Sequence, residues 1–149
     1  MRTVVQRVTS ASVVVEGRAV AEIGRGLLAL VGLEAGDDDA TLAWTAEKLA
    51  FLRVFEDGAG KMNLAAGEIG GSILLVPNFT VAGSAAKGRR PSFDGAMKPD
   101  QARPMFERLV EAVRAHGVPV QAGVFGADMA VTLVNDGPVT LILDSRAST

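Results

Sequence analysis

A mixed α/β fold, with helices packed on one side of the sheet, is what the sequence predicts from three observations. Short apolar runs bounded by Gly, Pro or Asp recur towards both ends of the chain, as strands do. Two segments between them repeat apolar residues at helical spacing. The resulting order, β-β-β-α-β-β-α-β-β, suits a mixed sheet with one layer of helices. With 149 residues, no internal repeat and no linker, the chain reads as a single domain, 1–149.

Val4-Val5-Gln6-Arg7-Val8 leads into Ser12-Val13-Val14-Val15, and Glu16-Gly17 reads as a tight turn into a strand from Arg18 to Ile23. Gly24-Arg25-Gly26 turns the chain into Leu27 to Leu33, an apolar run that suits a strand covered on both faces. Asp37-Asp38-Asp39 opens a helix, since acids at its start favour the dipole; Leu42, Ala46 and Leu49 share its apolar face. Leu52 to Phe55 reads as a strand closing at Asp57-Gly58, and Ser72 to Val76 as a buried strand that stops at Pro77. Residues 82–98 form a loop carrying Lys87, Arg89 and Arg90. Met105, Phe106, Leu109, Val110 and Val113 make the apolar stripe of a second helix, which ends at His116-Gly117. Regular helix is expected there only from about Pro104, because a Pro deeper inside loses a hydrogen bond and clashes with the preceding turn. Strands follow at 118–125, 129–134 and 139–143, with Asn135-Asp136-Gly137-Pro138 as a bend and a frayed tail at 144–149.

Composition removes several kinds of chemistry. The chain has no Cys, which excludes disulfides, thiolate metal sites and a cysteine nucleophile. Its one His, His116, sits at a helix end where a cation is welcome without catalysis, so no Ser-His or Cys-His pair is in view. With 15 Lys+Arg against 17 Asp+Glu, a generally basic coat is excluded, though not a local basic patch. Gly24-Arg25-Gly26-Leu27-Leu28-Ala29 has the letters of a dinucleotide fingerprint but lacks the helix that would hold a pyrophosphate. Gly83 to Arg90 resembles a P-loop without its Lys-Ser/Thr pair, and the three aspartates lack the spaced ligands of a calcium loop. No metal and no cofactor are expected. Met1 to Arg7 lacks the apolar stretch of a signal peptide, and the longest apolar run, seven residues, falls far short of the ~20 a membrane helix needs. A cytoplasmic protein with no membrane partner is the expectation.

Several segments together resemble the D-aminoacyl-tRNA deacylases, also called D-tyrosyl-tRNA deacylases. The resemblance begins at Gln6-Arg7-Val8, Ala11-Ser12-Val13, Glu22-Ile23-Gly24, Gly26-Leu27-Leu28 and Gly60-Lys61-Met62-Asn63-Leu64. It continues through Phe79-Thr80, Gly88 to Phe93, Phe125-Gly126-Ala127-Asp128-Met129 and Val134 to Thr140, in the family's order over nearly the whole chain. What it implies is a three-layer α/β/β deacylase-type fold, one layer of helices over two of sheet. It also implies a homodimer that hydrolyses the ester joining a D-amino acid to tRNA and removes glycine mischarged on tRNA(Ala). In that family a cis Gly-Pro pair, here Gly137-Pro138, is held by an arginine matching Arg7 and enters the partner's pocket. It meets there a Ser-Gln-Phe-Thr segment, here Pro77-Asn78-Phe79-Thr80.

The residue chemistry agrees with that picture. A tight Gly-Pro turn aims two backbone carbonyls at one point, a wall with no side chain to rotate away. Against it a D residue points its side chain outward and glycine has none, whereas an L side chain runs into the wall. An aminoacyl ester is already activated, so positioning and oxyanion stabilisation carry the reaction. Backbone N–H groups at Phe79 and Thr80 are the candidate donors, with the terminal ribose 2′-hydroxyl assisting water. Thr80 has no base to make it a nucleophile and shapes the site instead. Phe79, Phe125 and Met129 line the pocket for adenine and ester, with Pro77 and Asn78 beside them. Lys87, Arg89 and Arg90 are placed to meet tRNA phosphates, with Arg103, Arg108 and Arg114 as further candidates.

Pro77 and Asn78 depart from the family's Ser-Gln. The change removes a hydroxyl and a backbone N–H and shortens an amide by one methylene. Two alternatives follow: a catalytically silent tRNA-binding relative, or one with relaxed chirality, like the animal branch that acts on L-alanyl-tRNA and also carries Pro there. A nucleotide-binding dimer unrelated to tRNA ranks last, for want of a phosphate loop.

Overall fold

The computed structural model describes residues 1–148. Its first strand, β1, runs unbroken from Arg2 to Val15 and takes in both apolar runs that the sequence places there, 4–8 and 12–15. The chain accommodates Thr9 and Ser10 by slipping its register against the last strand rather than by leaving the sheet. Glu16 and Gly17, both at positive φ (50° and 75°), make the two-residue turn into β2 (Arg18–Ile23). β3 (Gly26–Gly32) follows, and β1 pairs with β3 through its first half and with β2 through its second. Gly26 is obligatory there: a Cβ would sit 1.8 Å from the Ser72 carbonyl oxygen.

Helix α1 covers Asp39–Phe51. Asp38 caps it by accepting from the Thr41 amide and hydroxyl, both at 2.9 Å, and the amide bond above all holds its carboxyl below the usual range. Leu42, Ala46 and Leu49 are buried as their spacing predicts. The strand expected at 52–55 shrinks to β4 (Phe55–Glu56), paired with β5 (Met62–Leu64). Two hydrogen bonds explain this. The Leu52 amide closes α1 on the Lys48 carbonyl, and the Val54 carbonyl is taken by the Arg7 side chain instead of a neighbouring strand.

β6 (Ser72–Pro77) lies parallel to β3 on one edge and to β7 (Val120–Ala122) on the other. β7 is shorter than the expected 118–125, because the chain turns away after Gly123, whose amide still bonds the Leu75 carbonyl, and loops through Gly126. Between them, α2 begins at Pro99 and runs to Ala115, earlier than the expected start at Pro104. Pro99 occupies the first helical position, where a missing N–H costs nothing. Pro104 lies on the exposed face, where a helix tolerates the bond that proline cannot donate.

β8 (Ala130–Asp144) is one strand, not two, antiparallel to β1 along nearly its whole length. The expected bend at 135–138 is a bulge within it. The tail beyond it is not frayed as far as described: 145–148 form a 3-10 turn, the Ser145 amide bonds the Met1 carbonyl, and Arg146 pairs with Glu34. Thr149 lies outside the described residues.

The sheet has six strands in the order β2-β1-β3-β6-β7, with β8 on the other side of β1. It curls until its edges approach, and the Glu22 amide of β2 donates to Gln121 Oε1 of β7 at 2.7 Å. One core lies between the sheet and the two helices, built on Leu27, Ala29, Val31 and Leu75 with Leu49, Phe106 and Leu109. Alternate residues of the same central strands, Leu28, Leu74 and Val76, join Val8, Val13 and Ile23 in a second core inside the curl. The three layers stand as expected, except that one curled sheet supplies both β layers.

Candidate functional site

β6 delivers the 77–80 segment to the surface. The Asn78 amide extends the pairing with β3 by donating to the Val31 carbonyl at 2.8 Å. Its side chain then caps a 3-10 turn, Phe79–Ala82, with Oδ1 accepting from the Thr80 amide at 3.2 Å and from the Thr80 hydroxyl at 2.5 Å. The Thr80 hydroxyl proton is thus engaged by an amide oxygen rather than by a base. The Thr80 N–H is also engaged, so of the two expected oxyanion donors only that of Phe79, the first amide of the turn, has no partner within it.

The Phe79 ring is 60% exposed and meets Phe93 edge-on at 5.2 Å. Cavities open on both sides of this segment, of about 370 and 310 Å³, and share Pro77, Asn78, Phe79 and Gly126. Phe93, Met97 and Phe125 wall the larger one. Met129 and Val131 wall the smaller one, where Asp128 is the sole ionisable side chain in the lining. Phe125 and Met129 therefore flank the 77–80 segment on opposite sides, each lining a different cavity.

Arg7, Gly137 and Pro138 form a second locus. Gln6 pairs with Thr140 and Val8 with Asn135, so the single residue Arg7 faces four residues of β8, 136–139. The bulge stands out from the sheet with Gly137 and Pro138 exposed, and their peptide bond is cis. Asn135 pins its neck, accepting from the Val139 amide at 3.1 Å and donating to Thr140 Oγ1 at 2.9 Å. Beneath it Arg7 is 7% exposed, donating from Nη1 to the Val54 carbonyl at 2.6 Å and from Nε to the Asp136 carbonyl at 3.2 Å. Its Nε also lies 3.4 Å from the Asp136 carboxylate. A Cβ on Gly137 would come within 2.9 Å of Val139 Cγ2 and 3.2 Å of Arg7 Nη2. None of these three residues lines either cavity of the same chain.

Lys87, Arg89 and Arg90 lie exposed at the tip of a loop that Ser84 and Ser92 close through two backbone bonds. The helix arginines divide. Arg108 pairs with Asp39, and Arg114 pairs with Glu111 and donates to the Val120 carbonyl, while Arg103 lies over the Phe125 ring, 5.0 Å from its centroid. His116 is exposed against Phe51 at the far end of α2. Phe93 and Asn135 went unassigned in the sequence because their partners, Phe79 and the bulge neck, are set by loop geometry that no periodicity reports. Among the described residues no cluster of His, Asp and Glu is placed to hold a metal ion, and no helix is long and apolar enough to cross a membrane.

The cleft is mostly apolar and built on a capped backbone turn, with no histidine in its lining, Asp128 in the smaller cavity and Lys98 in the larger. The family model described as D-Tyr-tRNA(Tyr) deacylase matches residues 4–144. The chain is 57% identical over 144 residues to a D-aminoacyl-tRNA deacylase of Pelobacter propionicus, covering 97% of this chain and 99% of that one. It is 55% identical over 147 residues to one from Geobacter sulfurreducens, covering 99% and 97%. A solved structure of a c-Myc DNA unwinding element binding protein is 38% identical and superposes with a TM-score of 0.91, covering 97% of this chain and 98% of that one. The chain belongs to the D-aminoacyl-tRNA deacylase family and is a hydrolase of that class.

Proposed function

We propose that the chain works as a homodimer in the cytoplasm, cleaving D-amino acids and glycine from tRNA and sparing L-aminoacyl esters. The observation that carries this reading is the separation of the two loci. The Gly137-Pro138 bulge is rigidly supported and exposed, yet it faces no cavity of its own chain. A second copy gives it one. The partner surface is supplied by β8, an edge strand that exposes Val134, Leu141 and Ile142 and carries the bulge between them.

In the composite site, the larger apolar cavity takes the terminal adenosine and the smaller one takes the aminoacyl group, with the ester lying over Asn78-Phe79. The Phe79 N–H meets the developing oxyanion, and the ribose 2′-hydroxyl assists the attacking water. The partner's bulge closes the amino-acid side with backbone atoms alone, so discrimination is steric and indifferent to which D residue is bound. Pro77 ends a strand and Asn78 keeps the turn capped, which supports a working site over a silent one.

Single-turnover hydrolysis of D-Ala-, L-Ala- and Gly-charged tRNA(Ala) tests this. Cleavage of the D and Gly esters with the L ester spared is expected. Equal cleavage of D and L overturns the chiral part of the reading, and cleavage of none overturns the catalytic part.

A further inference from the structure

We propose that Arg103 is the residue that binds the last phosphodiester of the tRNA acceptor strand, immediately 5′ of the terminal adenosine. The proposal rests on the reading above, in which the larger cavity takes that nucleoside. Ala102, Phe125 and Gly126 line this cavity, and Arg103 lies over Phe125 with Nη2 only 3.5 Å from where a Gly126 Cβ would stand. The guanidinium is therefore at the rim, held against the ring by a cation–π contact. Five arginines have their charge answered by a carboxylate: Arg2 by Asp144, Arg7 by Asp136, Arg108 by Asp39, Arg114 by Glu111 and Arg146 by Glu34. Among the described residues no carboxylate pairs with Arg103. With no carboxylate on it, the guanidinium keeps N–H donors that can meet a pair of oxygens, and a phosphodiester presents them. Lys98, which also lines the cavity, adds a second cation on the same rim.

A nucleoside seated in this cavity carries its 5′-phosphate outward, since the apolar walls of Phe93, Met97 and Phe125 offer a phosphate nothing. The rim cation is thus where the chain of the nucleic acid leaves the pocket. The 87–90 tip has no such constraint: its three cations stand on a loop and read charge without register. Arg103 fixes where the strand ends.

Binding of two probes that carry no amino acid, adenosine and the trinucleotide CCA, separates this from the catalytic reading. Wild type is expected to bind the trinucleotide more tightly. Arg103→Gln should lower that preference about tenfold, the scale of one lost charge-assisted bond, and flatten the salt dependence of trinucleotide binding by about 0.7 in log–log slope. Arg103→Lys should keep part of the preference, and Arg108→Gln all of it. The proposal is overturned if Arg103→Gln keeps the full preference, if it weakens adenosine and trinucleotide equally, or if wild type shows no preference or binds neither probe. Because no ester is cleaved, a failure of hydrolysis with the preference intact indicts the catalytic reading alone.

Discussion

β3 and β8 are both apolar strands flanking β1, and they differ in what finishes them. β3 is buried on both faces, with Leu27, Leu28 and Ala29 wholly inaccessible, because helices cover one side and the curl of the sheet covers the other. β8 has its β1 edge paired and its outer residues bare, Ile142 being 66% exposed. The chain covers the first strand by itself and leaves outer residues of the second exposed. Stability resides in the first region and, on our reading, selectivity resides in the second, together with the bulge it carries.

Substitutions should divide along that line. Leu75→Ala, in the helix-side core, is expected to cost about 3 kcal/mol in urea unfolding, the usual range for a buried leucine. Arg7→Ala should cost about 2 kcal/mol by orphaning the Val54 and Asp136 carbonyls. On the reading above it should also release the bulge, so that L-Ala-tRNA hydrolysis rises towards the D rate. Ile142→Glu should leave unfolding of the monomer within about 0.5 kcal/mol, as surface changes do, and yet sediment as a monomer and lose activity. A stable dimer in that variant would break the comparison. At the turn, Asn78→Ala uncaps Thr80, and kcat should fall about tenfold with KM little changed.

The smallest effect concerns the β4–β5 hairpin. The Lys61 and Ala59 amides hold the Asp57 carboxyl below its ordinary value. A carboxyl depressed in the folded state adds stability above its unfolded pKa and loses it as pH falls through the lowered one. Exchange protection of the Lys61 amide should therefore weaken below about pH 4, and Asp57→Asn should remove that dependence.

Legibility followed the same division. β3, β6, the face of α1 and the turn at Glu16-Gly17 were readable because local pattern and tertiary environment agree there. The misreadings arose where a distant group overrode the local signal. Residues 52–55 look like a strand, but Arg7, 47 residues away, claims the Val54 carbonyl. Pro104 looks like a helix start, but its exposed position makes the lost bond tolerable and Pro99 takes the first turn. β8 looks like two strands, and β1 pairing carries it past the bulge as one. At the site, the letters of 77–80 and 137–138 were legible as a resemblance. That Asn78 would engage both the Thr80 amide and hydroxyl was not, since capping depends on the φ and ψ of the turn.

The claim at the centre of this account is that one chain's bulge closes its partner's pocket. Mixed dimers test it directly. A chain with Gly137→Ala and Pro138→Ala should cleave both D- and L-Ala-tRNA, and a Phe79→Glu chain should cleave neither. When the first is reassembled with excess of the second, its pockets face intact bulges, and rejection of the L ester should return while D cleavage persists. Undiminished L cleavage in those mixtures would mean that the bulge acts on its own chain, and the composite site would be wrong.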